Sequence, residues 1–371
     1  MIWIACNRHP VALAVTDKIN EFGASAIRET RTHVIESLRE FVLIEHREAA
    51  DSVDLHPRLL VANLEVRSRI LPDWPRQSCA LATARRAVAG KHLRLVGLWR
   101  DNGHWFAKWC PESRVIQRTA LNLLRHDLRP ALSRRCKHLK GHGGVKGAVR
   151  DLNRVVDRYA YVARFDVVAY YESMHHGLLL ESLRQANVGC DLETVVTDYL
   201  ALPDRPHIGQ GMTAGGSLSP ILGGVYLNPL DQIMAKDKRL VYVRYMDDFV
   251  ILATTRWHLK KAIAQIFRIT ADLKLRLHRG TKCFIGRTDN GFDFLGYTIH
   301  PQRRLRPSSV SLQRFVARAR RLYEQGGDKQ RLWEYAIHWH RWLHGGLSGL
   351  VTRKGGVNRY YIYILRRLGI P

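Results

Sequence analysis

The sequence predicts an α+β chain in which helices surround an antiparallel sheet. Three observations lead there. Tyr161–Ala169, Leu240–Tyr245 and Phe249–Ala253 are rich in β-branched and aromatic residues and read as strands. Met246-Asp247-Asp248, between the last two, is a tight turn, so those strands form an antiparallel hairpin. Long flanking stretches carry apolar residues at helical spacing.

Taken in order, Lys18 to His46 is helical in texture, with Ile19, Phe22, Ile27, Val34, Ile35, Leu38 and Leu43 near the helical period. The break Leu71-Pro72-Asp73-Trp74-Pro75 marks a boundary, giving a helical extension over 1–75. Leu93–Trp99 and His104–Trp109 flank Asn102-Gly103, a hairpin turn signal. Val115 to Leu132 reads as a helix ended by Pro130. Lys137 to Lys146 then packs glycines among cations, a loop able to bring backbone amides close to phosphates, although most such loops are merely turns. The central unit is expected over 76–300. In the C-terminal unit, 301–371, Arg303–Arg321, Leu332–Leu343 and Asn358–Leu368 read as basic, partly aromatic helices.

The chain has 371 residues, with 59 Lys+Arg against 33 Asp+Glu and a formal net charge of +26. Such a protein repels itself unless it meets a polyanion, and nucleic acid is favoured over an anionic membrane because no polybasic amphipathic helix stands out. No stretch approaches the ~18 apolar residues of a membrane span. The opening Met-Ile-Trp-Ile-Ala-Cys run is too short for a signal peptide. The six cysteines are scattered without a CxxC pair, which argues against a zinc finger or disulfide scaffold and for reduced thiols in a cytoplasm. His338, His340 and His344 lack a nearby Cys or acidic ligand, so zinc is not expected there.

Three acids stand out because apolar residues surround them. Asp166 lies within the first strand, and Asp247 and Asp248 lie at the hairpin tip. A buried carboxylate is costly unless paired or bound to a cation. If the strands are neighbours, the three converge and their repulsion calls for a divalent cation. Oxygen ligands favour Mg²⁺ or Mn²⁺ over zinc, and two such ions about 3.5–4 Å apart suit in-line phosphoryl displacement. Asp247-Asp248 alone reads better as the polar turn of a surface hairpin; with Asp166 in a second apolar strand, the metal reading gains ground.

These residues resemble a known family. Tyr245-Met246-Asp247-Asp248 is similar to the YxDD signature of reverse transcriptases, and Phe165-Asp166 with Tyr170-Tyr171 resembles their first catalytic-aspartate motif. Gly215-Gly216-Ser217-Leu218-Ser219-Pro220 resembles the motif before the long palm helix, with Tyr226-Leu227-Asn228 and Leu230-Asp231 behind it. Leu277-His278 with Lys282 resembles the palm-lysine motif, and Phe292–Tyr297 the primer-grip hairpin. Pro111, Arg114, Val115, Ile116 and Gln117 resemble a fingers motif, and Lys140-Gly141-His142-Gly143-Gly144 stands where the next belongs. The order and spacing of these motifs from Trp105 to Tyr297 are specific, and they are most similar to bacterial enzymes of the group II intron type, stand-alone form.

The resemblance implies a right-hand polymerase with fingers and palm (an antiparallel sheet plus helices) over 76–300 and a small helical thumb over 301–371. It implies an RNA-directed DNA polymerase that adds dNTPs to a DNA or RNA primer on an RNA template. Asp166 and Asp247 would hold Mg²⁺ (or Mn²⁺), with the Val167 carbonyl helping and Asp248 supporting. Lys282 would face the leaving pyrophosphate as a general acid. Tyr171 would be the steric gate against a ribose 2′-hydroxyl. Ala214 and Gly215 would face the nucleotide, and Lys108 or Arg114 would touch its triphosphate. Ala214 is a departure, since many relatives carry Gln there; Gln210 stands four residues earlier. Pro229 predicts a kink in the helix that follows. Two rivals stay open: a template-independent nucleotidyl transferase, and a non-catalytic RNA-binding scaffold. An associated non-coding RNA, a maturase role and phage defence also stay open, as does the oligomeric state.

Overall fold

The computed structural model describes residues 92–101, 104–202, 208–352 and 354–371. The expected extension over 1–75, its boundary with the central unit and the Asn102-Gly103 turn lie outside these residues. A hairpin of β1 (Leu95–Asp101) and β2 (His104–Trp109) leads into helix α1 (Pro111–Asp127). Pro111 suits the first turn because its missing N–H has no intrahelical partner there anyway. The helix therefore starts earlier than expected. It also ends before Pro130, in a turn that follows Leu128.

Next come α2 (Gly144–Asn153), β3 (Tyr161–Phe165), α3 (His176–Gln185) and α4 (Cys190–Ala201). Then follow α5 (Ser219–Tyr226), α6 (Asn228–Lys236), β4 (Leu240–Tyr245), β5 (Asp248–Ala253) and α7 (Arg256–Asp272). Instead of the kink expected at Pro229, the chain breaks fully at Leu227. Pro229 sits in the first turn of the new helix, where it removes no helical hydrogen bond. After β6 (Phe284–Arg287) the short strands β7 (Phe292–Phe294), β8 (Tyr297–Ile299) and β9 (Arg306–Pro307) form a separate antiparallel sheet. Three helices close the chain: α8 (Ser309–Glu324), α9 (Lys329–His344) and α10 (Gly356–Leu368). Ser308 and Asp328 cap α8 and α9 by accepting from Ser311 N–H and Arg331 N–H.

The central sheet has the order β4-β5-β3-β6 and is antiparallel throughout. Both faces are buried, which is why its strands read as nearly continuous apolar runs. Phe165, Tyr242, Phe249 and Ile251 pack with α1 and α3–α7. Val162, Val243, Val250 and Leu252 pack with α2 and the C-terminal helices. Trp339 serves that second core, stacked 4.3 Å from Phe315 and edge-on to Tyr360. Helix α2 ties the two ends together: the Lys146 ammonium donates to Tyr297 Oη and to the Trp342 carbonyl, 4.6 Å from the Trp342 ring centroid. Burial pulls that ammonium's pKa down to about 8.

The strand expected over 161–169 stops at Phe165. Past it, Val168 N–H donates to the Arg276 carbonyl and His278 N–H to the Asp166 carbonyl, so the chain leaves the sheet to pair with 276–278. Asp166 therefore stands at the strand's end rather than within it.

Arg244 and Asp231 form a fully buried ion pair beneath the β4–β5 turn. Asp231 Oδ1 accepts from Arg244 Nε at 2.7 Å and from Tyr242 Oη at 2.8 Å. The guanidinium also donates to the carbonyls of Gly224 (3.1 Å) and Met246 (2.7 Å). Removing one partner strands the other as an uncompensated buried charge. Asp231→Ala is expected to destabilise the protein by about 3–5 kcal/mol in denaturant titration; a loss below about 1 kcal/mol would show that the pair carries little of the fold.

Candidate active site

The β4–β5 hairpin pairs Tyr245 with Asp248, leaving Met246-Asp247 as a two-residue turn. Met246 has φ 57°, the positive-φ geometry that such turns need at their first central position. In β3 the register pairs Phe165 with Phe249, so the next step along both chains brings Asp166 to the level of Asp248. Sheet register thus gathers Asp166 with two acids that lie 81 and 82 residues further along the sequence.

Each of the paired turn acids feels the carboxylates around it. The Asp247 carboxyl is pushed up to about 6, by burial first and then by the Asp166 carboxylate beside it. Asp248 is pushed up to about 7, again by burial first; Asp166 and Asp247 reinforce the shift, while Arg164 and Lys282 oppose it. Asp248 Oδ1 is buried and has no protein hydrogen-bond partner. Asp166 is 23% exposed, so the cluster opens to solvent on its side. Lys282 Nζ lies 3.3 Å from Asp166 Oδ2 and 3.2 Å from His278 Nε2, and its side chain is 58% exposed. The lysine therefore meets the acids from the solvent side.

These acids fit a hard divalent cation: oxygen donors, two carboxyls that resist ionising without added positive charge, and an orphaned carboxylate oxygen. Among the described residues, no three His, Cys, Asp or Glu side chains are gathered into a group that could hold a metal ion by themselves. Mg²⁺ keeps waters and takes substrate phosphates, so one or two protein carboxylates suffice. His340 and His344 stack 4.2 Å apart on α9.

Of the other expected residues, Tyr171 is close by. Its hydroxyl points at Met246 Sδ (3.9 Å), and its pKa is raised by burial and by the Asp247 charge. Val167 is buried and forms an antiparallel bridge with Leu277; the flanking bonds use Asp166 and Val168. Ala214 N–H donates to the Trp105 carbonyl at 2.7 Å, and a Cβ on Gly215 would lie 3.6 Å from the Phe106 ring. Both residues are therefore held against β2. Lys108 and Arg114 are exposed, and neither pairs with the acidic cluster.

The residues under the turn were missed by motif matching. Arg244 carried a signal, a cation inside the apolar run Leu240–Tyr245. His138 carried none, since it reads as one more residue of a basic loop. Its Nδ1 accepts from Met246 N–H at 3.0 Å, and its Nε2 lies 2.8 Å from the Pro220 carbonyl.

Residues 110–299 match the family described as reverse transcriptase (RNA-dependent DNA polymerase). Protein YkfC of Escherichia coli (strain K12) is 24% identical, over 39% of this chain and 48% of that protein. The chain thus spans about half the length of this curated relative. Solved telomerases are distantly similar. That of Candida albicans has 13% identity and a TM-score of 0.41 over 70% of this chain and 47% of its own. Apo telomerase of Candida tropicalis has 12% identity and a TM-score of 0.44 over 75% and 59%. Among the described residues, no helix is long and apolar enough to cross a membrane. With the family match covering half the chain and enclosing all three acids, the protein belongs to the reverse transcriptase (RNA-dependent DNA polymerase) family.

Proposed function

We propose that the chain is an RNA-directed DNA polymerase of the bacterial group II-like type, adding dNTPs to a primer 3′-hydroxyl on an RNA template. The observation that carries this is the meeting of Asp166, Asp247 and Asp248 at one end of the central sheet. Asp166 and Asp247 would hold Mg²⁺ or Mn²⁺, with the Val167 carbonyl assisting and Asp248 supporting from the base of the turn. When bound, the ions lower the pKa of the primer hydroxyl and neutralise the triphosphate.

The chain's own residues do the positioning. Lys282, exposed and beside Asp166, would meet the leaving pyrophosphate and give it a proton. Tyr171, packed toward the Asp247 turn, would collide with a ribose 2′-hydroxyl and favour deoxynucleotides. Gly215 would present backbone close to the nucleotide, and Ala214 would hold that backbone to β2. Lys108 or Arg114 would reach the triphosphate from the fingers. Helices α8–α10 would act as the thumb, with their arginines gripping the template–primer backbone. A cavity of about 500 Å³ bordered by Arg125, Arg129, Arg134 and Lys140 adds a basic wall for nucleic acid.

In primer extension with Mg²⁺, wild type is expected to require template and to prefer dNTPs over rNTPs. Asp247→Asn combined with Asp248→Asn should cut incorporation by more than about 100-fold while template–primer binding persists. Normal extension by the double variant would refute the assignment, and template-free extension by wild type would favour a terminal transferase.

The raised carboxyls also set a pH dependence. Their folded pKa values exceed the unfolded ones, so the folded state binds more protons between about pH 4 and 7. Their contribution to stability is full below about pH 4 and is lost as pH rises through about 6 and 7. In cation-free buffer, Asp248→Asn should gain thermal stability over wild type as pH rises across that window. Added Mg²⁺ should stabilise wild type at pH 7 more than at pH 5. A difference that stays flat with pH would contradict the shifted carboxyls.

A further inference from the structure

The Asp247 carboxylate hangs from a two-residue turn, and a turn of that length with a non-glycine at φ 57° is a costly conformation that its surroundings must impose. Both polar groups of the Met246 backbone are gripped. Its carbonyl accepts from Arg244 Nη1 at 2.7 Å, and its N–H donates to His138 Nδ1 at 3.0 Å. The imidazole's other nitrogen, Nε2, is 2.8 Å from the Pro220 carbonyl in the first turn of α5. Nδ1 can accept only when it carries no proton, and a carbonyl accepts only from N–H. The two bonds together therefore assign the neutral Nε2–H tautomer.

Backbone pairing explains how a loop residue reaches this place. Arg244 N–H donates to the Arg135 carbonyl at 3.0 Å, and Lys137 N–H donates to the Arg244 carbonyl at 2.7 Å. Cys136 and Arg244 thus form a parallel bridge on the free edge of β4. Two residues further along both chains, the same register sets His138 beside Met246. The loop is itself braced, with His142 Nδ1 2.9 Å from the Cys136 carbonyl and Lys137 paired to Asp151 at 2.6 Å. The ring also meets Tyr245 edge-on, 6.0 Å between centroids.

We propose that His138 is a positioning residue for the polymerase reaction: through Nδ1 it fixes the Met246–Asp247 turn, and through Nε2–H it locks that turn to the first turn of α5. This rests on the polymerase reading above and adds a residue outside the motifs that carry it. The imidazole acts through the backbone of the turn. It sets where the Asp247 carboxylate stands relative to Asp166.

The two nitrogens can be separated by substitution. Asn places an amide oxygen where Nδ1 was, keeping an acceptor for Met246 N–H and losing Pro220. Gln places an amide N–H where Nε2 was, keeping Pro220 and losing the turn. In single-turnover extension by the full chain, His138→Gln and His138→Leu should lower the incorporation rate by about 100-fold, with dNTP KM and template–primer affinity little changed, while His138→Asn stays within about threefold of wild type. A full rate in His138→Gln, or losses in all three variants that follow thermal stability alone, would overturn the proposal. Asp247→Asn is run alongside. Inactive Asp247→Asn with fully active His138→Gln removes the role of His138 and leaves the site reading standing; active Asp247→Asn removes both. A measurement on wild type requires no variant to fold: with ¹⁵N-histidine labelling, His138 should show a protonated Nε2 and a hydrogen-bonded, unprotonated Nδ1. A protonated Nδ1 would contradict the bond to Met246.

Discussion

The constraint on which the rest depends is the holding together of like charges. Three carboxyls share one end of the central sheet, against their mutual repulsion and against the cost of burial. Register brings them there: β3 and β5 pair so that the step past Phe165 and Phe249 is Asp166 beside Asp248. The sheet is stiff because both faces are buried, one under α1 and α3–α7 and the other under α2 and the C-terminal helices. Without those two cores nothing would oppose the separation of the acids.

Under the acids lies a second layer of polar contacts that carries the strain of the turn. The Arg244 guanidinium is shared among Asp231 on α6, the Gly224 carbonyl on α5 and the Met246 carbonyl at the turn. His138 closes the other side of Met246. Burial and the nearby Arg244 charge drive the imidazole pKa down to about 4, so it stays neutral and keeps its acceptor at ordinary pH. Buried polar groups of this kind are costly when half satisfied and rigid when complete. A rigid base suits chemistry in which positioning and charge stabilisation do most of the work.

Much of this was legible in the sequence, and the reasons are local. Tyr245-Met246-Asp247-Asp248 reads as a hairpin because β-branched runs flank a turn of the right length. Asp166 reads as its partner because an acid amid Phe165, Val167 and Val168 demands an explanation. Lys282 sits beside Asp166, where the motif resemblance led one to look. The strand end at Phe165 was not legible, because residues 276–278 compete for the backbone beyond it. Nor was the helix break at Leu227, since propensity cannot distinguish a kink from a new start. His138 was hidden most completely: its role depends on a parallel bridge between Cys136 and Arg244, 108 residues apart. No periodicity or spacing within the Gly-rich loop records that pairing.

Metal binding separates a divalent-cation site at the three acids from a merely polar hairpin tip. Anomalous scattering from crystals grown with Mn²⁺ tests it most directly. Manganese is expected at oxygen-ligand distance from the carboxylates of Asp166 and Asp247, with the Lys282 ammonium displaced from Asp166. Crystals in saturating Mn²⁺ that keep the Lys282–Asp166 contact and carry no anomalous peak between these acids would contradict it.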